Sequence, residues 1–172
     1  MGIAAEGGVL ALLLPAGLIR AQGTESLRRE LNVLARELSI SVIENRARNF
    51  AIDTRFKFLS VVARIGTGPQ KPIALKVADR TGALPDTPVK LSRAQLARVR
   101  SDLSIPEVRT AEEWDLYSRL AKNATTVGDR EGPWRPEYRR EVDMTLDQKS
   151  FRRGPGEGTM PLLEGRHVAQ YR

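Results

Sequence analysis

Residues 44–64 read ENRARNFAIDTRFKFLSVVAR, and the strand pairing they imply fixes the elements on either side. Phe56–Ala63 is rich in β-branched and aromatic residues, the composition of a strand lying on a pleated, half-buried surface. Ile40–Ile43, just upstream, is a second short apolar run. Between them lies a basic turn with Asn45, Arg46, Arg48 and one aromatic, Phe50. The two runs are therefore predicted to pair antiparallel across that turn.

Upstream, Val9–Leu14 is a continuous apolar run closed by Pro15-Ala16-Gly17, the pattern of an interior parallel strand covered on both faces. Thr24 is placed to cap a helix on which Leu27, Leu31, Leu34 and Leu38 form one stripe. Strand, helix and strand make a βαβ-type unit and hence an α/β fold. Such a strand needs neighbours and cover on both faces, more than one amphipathic helix supplies. Both ends of the chain consequently read as cut.

Downstream, Gly66–Pro72 is a loop and Ile73–Val77 a further short strand. Ser92 caps a short helix near Arg93–Arg100, which Pro106 prevents from continuing. Thr110-Ala-Glu-Glu113 opens a helix to about Lys122 as a capping box, with Trp114, Tyr117, Leu120 and Ala121 on or near one face. The spacing of Trp114 and Tyr117 points to packing. From Gly128 onward Gly and Pro recur and the apolar periodicity fades, with Arg152–Thr159 read as a loop. Leu162–Tyr171 then resumes an apolar, aromatic pattern.

The 172 residues carry a formal charge of +7 and a pI near 10.2, a balance that favours an anionic partner such as nucleic acid or that belongs simply to a solvated basic surface. The excess is local: residues 45–65 hold five Lys/Arg against one Asp, and residues 66–100 seven against two. With no cysteine and one histidine, His167, disulfides, thiolate metal sites and any site needing two imidazoles are excluded. The apolar run near the N-terminus is too short to span a bilayer, is preceded by Glu6 and lacks a basic flank, so it is neither a membrane anchor nor a signal peptide. A cytoplasmic protein without membrane or metal partners is expected.

Several blocks, in order, carry a resemblance: Gly7-Gly8-Val9 to Ile19; Gly23-Thr24 to Leu31; Glu44-Asn45-Arg46, Phe50, Ile52-Asp53-Thr54-Arg55 and Lys57-Phe58; Ser104-Ile105-Pro106-Glu107-Val108 leading to Glu112–Leu120; Glu141-Val-Asp143-Met144-Thr145 with Asp147 and Phe151; and Pro161-Leu-Leu-Glu164-Gly165-Arg166-His167 to Tyr171. Together they resemble the adenine-N6 DNA methyltransferases of the large, fused restriction-modification and phage-exclusion type. The resemblance implies a fold: the C-terminal part of a Rossmann-like S-adenosylmethionine-dependent methyltransferase sheet with a terminal β-hairpin, followed by a mixed α/β connector. It divides the chain into the last strands of the catalytic domain (1–65), a connector with two short helices (66–130) and the start of a target-recognition region (131–172).

By the same resemblance the chain is part of a site-specific adenine methyltransferase that acts on double-stranded DNA with S-adenosylmethionine. The motif that holds the adenine amino group would lie upstream, because no Asn-Pro or Asp-Pro dipeptide occurs here. No Gly-rich turn follows a strand either, so the cofactor would be bound mainly by residues upstream and the isolated chain is expected to be inactive. Phe50 would stack on the extruded target base; as an isolated residue it equally suits a core position at a strand end. Arg46, Arg48, Arg55, Lys57 and Arg166 would contact DNA phosphates, or be solvated charges. Asn45 would shape the turn through its side chain. Glu141, Asp143 and Asp147, beside Arg139 and Arg140, read as a salt-bridged structural element, and the lone His167 as structural. The rival reading is a stand-alone, non-catalytic basic DNA-binding or specificity module.

Overall fold

Strand β2 (Ala35–Glu44) alternates along its length, with Leu38, Ile40 and Val42 buried and Ser39, Ser41 and Ile43 half-buried on the other face. Strand β3 (Lys57–Ile65) repeats the pattern, burying Leu59, Val61 and Ala63. The two pair antiparallel, Val42 opposite Leu59 and Ile40 opposite Val61, as the hairpin reading of the sequence requires. A slip of one residue would turn one apolar set to the opposite face, so the burial pattern fixes the register. In this computed structural model residues 5–124, 133–134, 142–154 and 156–162 are described.

On its other edge β3 pairs antiparallel with β1 (Val9–Pro15), placing Leu14 opposite Leu59 and Leu12 opposite Val61. Since β1 and β2 both run against β3, they are parallel to each other, joined through helix α1 (Glu25–Leu34) with β3 inserted between them. Strand β4 (Ile73–Val77) lies parallel to the far edge of β2, and β5 (Val89–Leu91) closes the sheet antiparallel to β4. The order β1-β3-β2-β4-β5 is a mixed five-stranded sheet, and the protein is α/β.

Helix α1, with α2 (Arg93–Val99) and α3 (Ala111–Asn123), packs into a single core on one face of this sheet, where Leu31, Leu96 and Trp114 meet Leu38, Ile40, Leu75 and Leu91. Residues 5–65 and 66–124 thus contribute to one sheet and one core. Ser92 Oγ accepts from Gln95 N at 3.4 Å and Thr110 Oγ1 from Glu113 N at 3.1 Å, so the caps predicted at these two residues form. The carboxylate of Glu113 returns to Arg109 N, one residue before the cap. Trp114 is buried and stacks on Tyr117 with ring centroids 6.0 Å apart, whereas Leu120 is exposed.

Three expectations are corrected. Among the described residues β1 lies at the edge of the sheet, not inside it: it pairs only with β3, antiparallel, and Val9, Leu12 and Leu13 are exposed. An unbroken apolar run carries no information about which neighbours fill the adjacent slots, and here β3 folds back into the slot beside β1. Thr24 does not cap α1 with its side chain; its hydroxyl turns back towards the carbonyls of Gly17, Leu18 and Ala21 and accepts from Arg28 Nη1 at 3.0 Å. The leucine stripe stops early, because the backbone becomes extended at Ala35. Leu38 therefore belongs to β2, and Leu34 is exposed.

Two buried arginines tie the connections together. Arg28 donates to the carbonyls of Leu18, Ala21 and Asp102. Arg93 donates to Asn32 O and Ala35 O, both at 2.8 Å, and to Lys71 O, supplying donors for carbonyls that the end of α1 would otherwise leave orphaned. Burial pushes the Arg93 guanidinium down from its ordinary value.

Candidate functional site

The carboxyl ends of the three mutually parallel strands, β1, β2 and β4, lie along one border of the sheet, where open α/β sheets place their ligands. The 45–56 connection leaves β2 at that border. Its organising residue is Asn45, whose side chain is fully buried. Nδ2 of Asn45 donates to Phe50 O at 2.9 Å and Ile52 O at 3.0 Å, Oδ1 accepts from Phe50 N at 3.0 Å, and its backbone N–H donates to Phe56 O at 2.8 Å. Asn45 shapes the turn as the sequence suggested, and the 45–56 excursion is braced by one amide. Arg48 follows in the left-handed region, φ +54°, and completes the reversal.

Side chains on successive strand residues point to opposite faces, and this separates the predicted contacts into two groups. Lys57 lies on the helix-covered face, where Nζ is 2.6 Å from Glu107 Oε2 and 3.8 Å from Glu44 Oε1. Phe58 lies on the other face, and Phe50 packs edge-on against it with centroids 4.9 Å apart and ring planes at 83°. Phe50 is therefore both a packing residue and, at 39% exposure, a partly open ring. Phe50 and Lys57 are not brought together on one face.

The remaining predicted cations differ in how far they are committed. Arg46 pairs with Glu44, and that hydrogen bond is the main reason the Glu44 carboxyl sits below its ordinary value. Arg55 folds onto Asp53, with Nη2–Oδ2 at 2.8 Å and Nε–Oδ1 at 3.1 Å. The side-chain bond from Arg55, reinforced by its backbone N–H, lowers the Asp53 carboxyl to about 2. Arg48 makes no ion pair among the described residues and is exposed. Arg166 and His167 lie outside the described residues, as do Arg139, Arg140 and Glu141. Asp143 and Asp147 shape a turn: Asp143 Oδ1 accepts from Thr145 N and Leu146 N, and Asp147 Oδ2 from Asp143 N.

Two features of the site escaped the sequence reading. Ile52 and Phe56 are exposed, Phe56 at 61%, so the loop presents apolar groups beyond Phe50. Phe56 had been assigned to a strand, and its place just before β3 is what leaves it uncovered. Glu107 carried no local signal, since only the tertiary fold sets it beside Lys57 and Arg20.

No group of three or more potential metal ligands occurs among the described residues, and no helix there is long and apolar enough to cross a membrane. No protein-family model matches the sequence, and no characterised protein is significantly similar to it. A functional reading rests on this border of the sheet.

Proposed function

We propose that this chain forms the last strands, terminal hairpin and connector of a cytoplasmic S-adenosylmethionine-dependent adenine-N6 DNA methyltransferase, with residues 45–56 as the element that meets the target strand. The observation that carries the reading is the loop itself. At the carboxyl border of a parallel strand set, a buried Asn45 holds a partly open Phe50 ring beside the uncommitted Arg48. The topology is compatible with it as well, since a crossover through α1 is followed by an antiparallel strand folded back into the sheet beside β1.

In this reading S-adenosylmethionine supplies the methyl group when bound. The described residues do not fit as its cradle. β1 runs into the turn Ala16–Ile19, whose Ala16, Leu18 and Ile19 side chains are buried in the core. After β4, the Asp79 carboxylate is occupied by the N–H groups of Thr81 and Ala83. Cofactor binding is therefore assigned to residues outside this chain. Phe50 offers a face to an extruded base, a contact worth about 1–3 kcal/mol. Arg48, and Arg46 once it leaves Glu44, hold phosphates and set register without reading sequence. Arg55 first has to leave Asp53.

The test is duplex binding by the purified chain across a salt series, using duplexes that carry 2-aminopurine at a mismatched or abasic-flanked position. Salt-sensitive binding with a change in 2-aminopurine fluorescence is expected. Phe50→Ala should abolish the fluorescence change while largely preserving affinity, and Arg48→Ala should weaken affinity and flatten the salt slope. No duplex binding at low salt, or a fluorescence change indifferent to Phe50→Ala, would remove the assignment.

A further inference from the structure

On the helix-covered face, opposite the Phe50 ring, Arg20, Lys57 and Arg100 line an open cleft of about 400 Å³ together with Ser104, Glu107 and Tyr117. These side chains come from the turn after β1, the start of β3, the segment after α2, and α3. Arg20 and Lys57 converge on one carboxylate from opposite sides: Arg20 Nη1 is 2.8 Å from Glu107 Oε1, and Lys57 Nζ is 2.6 Å from Oε2. Arg100 uses only Nε internally, donating to Ser104 Oγ at 2.6 Å with Asp102 Oδ1 at 3.7 Å. Its two Nη groups make no hydrogen bond among the described residues. Three cations line the cleft with one carboxylate, Glu107, in its wall, while Glu44 Oε1 approaches Lys57 at 3.8 Å and Asp102 Oδ1 approaches Arg100 at 3.7 Å from outside the lining; the Arg20 and Arg100 side chains are 58% and 39% exposed.

We propose that this cleft binds a phosphoryl group, with Arg20, Lys57 and Arg100 as its donors and the Glu107 carboxylate holding Arg20 and Lys57 when the ligand is absent. A planar guanidinium fork suits a phosphate as well as it suits a carboxylate, and the Tyr117 and Ser104 hydroxyls stand within the same walls. The site is separate from the Phe50 loop and does not depend on the methyltransferase reading. The phosphoryl group belongs either to a small phosphorylated ligand or to a nucleic-acid backbone.

Trp114 provides the signal, because it stacks on Tyr117 in the cleft wall and the chain has only one other tryptophan, Trp134. In a Trp134→Phe background, titration with inorganic pyrophosphate at constant ionic strength should give a saturable change in Trp114 fluorescence. Arg20→Gln and Arg100→Gln should each weaken it by about tenfold, the equivalent of roughly one strong contact. Glu107→Gln should tighten it several-fold, because it removes the competing carboxylate. Arg80→Gln, at an exposed position away from the cleft, should leave it unchanged. Circular dichroism checks that each variant is folded, and the exposed Arg20 keeps the test decisive if another substitution unfolds the chain. Displacement of pyrophosphate by duplex DNA would assign the site to a backbone phosphate, and no displacement would assign it to a small ligand. No saturable response, or weaker binding in folded Glu107→Gln, overturns the proposal.

Discussion

The two faces of the sheet are built from the same three central strands and differ almost completely. Towards the helices β2, β3 and β4 present Leu38, Ile40, Val42, Leu59, Val61, Ala63, Ile73, Leu75 and Val77, all buried. Away from them the same strands present Ser39, Ser41, Ser60 and Ala74, half-buried, and an exposed Val62. Alternation of period two writes both faces into one string of residues, and the covering helices decide which of them becomes core. The apolar β1 stands apart from this division. Its outward residues Val9 and Leu13 are as apolar as its inward ones but have no cover among the described elements. Hydrophobic composition alone does not place a residue in a core; a second layer does.

The largest expected effect breaks the comparison between faces. Ile40 is 2% exposed between α1 and the sheet, and Ile40→Ala should cost about 2–5 kcal/mol in urea unfolding, from lost transfer energy and the cavity left behind. Leu13→Ala removes a similar volume from an open surface and should change stability by no more than about 0.5 kcal/mol. Equal losses in the two variants would mean that the outer face is covered in solution.

Next is the brace beneath the loop. Asn45→Ala removes the donors to Phe50 O and Ile52 O and the acceptor for Phe50 N. Leaving these groups without partners should cost roughly 2–3 kcal/mol. It should also release the loop locally, seen as faster amide exchange at Phe50 and Phe56 with the β2–β3 ladder still protected. Loss of protection throughout the sheet would show that Asn45 supports the hairpin and not only its connection. Arg93→Met follows, with an expected cost of about 1–2 kcal/mol, because water reaches part of what it leaves unpaired.

These elements differ in how far the sequence disclosed them. The hairpin, β4 and the Ser92 and Thr110 caps were legible, since each depends on residues within a few positions of one another: alternation for the strands, a hydroxyl three residues before an orphan N–H for the caps. The Thr24 cap failed because its hydroxyl is drawn to the carbonyls of Gly17, Leu18 and Ala21. The place of β1 and the end of α1 were not. The first depends on which strand fills a neighbouring slot, and the second on Arg93, whose guanidinium reaches back 61 residues to Asn32. In the candidate site, the turn-shaping role of Asn45 was readable from the turn itself, whereas the sequence left Phe50 between a stacking and a core position, and its 39% exposure is set by the fold. The division of Phe50 and Lys57 between opposite faces follows from strand parity once β3 is fixed. The carboxylates that neutralise the predicted cations divide by the same logic. Asp53 beside Arg55 is local, and Glu107 beside Lys57 is 50 residues away.

That local pair gives the smallest and sharpest prediction. Asp53 is held down to about 2, first by the Arg55 side chain and then by the Arg55 backbone N–H. A carboxyl lowered by folding contributes above its unfolded value, about 3.9, and that contribution fades as pH falls towards the folded value. In an NMR titration of the carboxyl carbons, Asp53 should have its midpoint near 2. Arg55→Ala should return the midpoint most of the way to the ordinary range, since the backbone N–H remains. The pair is exposed, so added salt should weaken it and the Asp53 midpoint should rise in the unsubstituted chain. DNA binding provides the link to function: if Arg55 leaves Asp53 for a phosphate, the midpoint rises when duplex is added. An unchanged midpoint in a saturated complex would show that Arg55 stays with Asp53, leaving Arg48 and Arg46 as the loop's phosphate contacts.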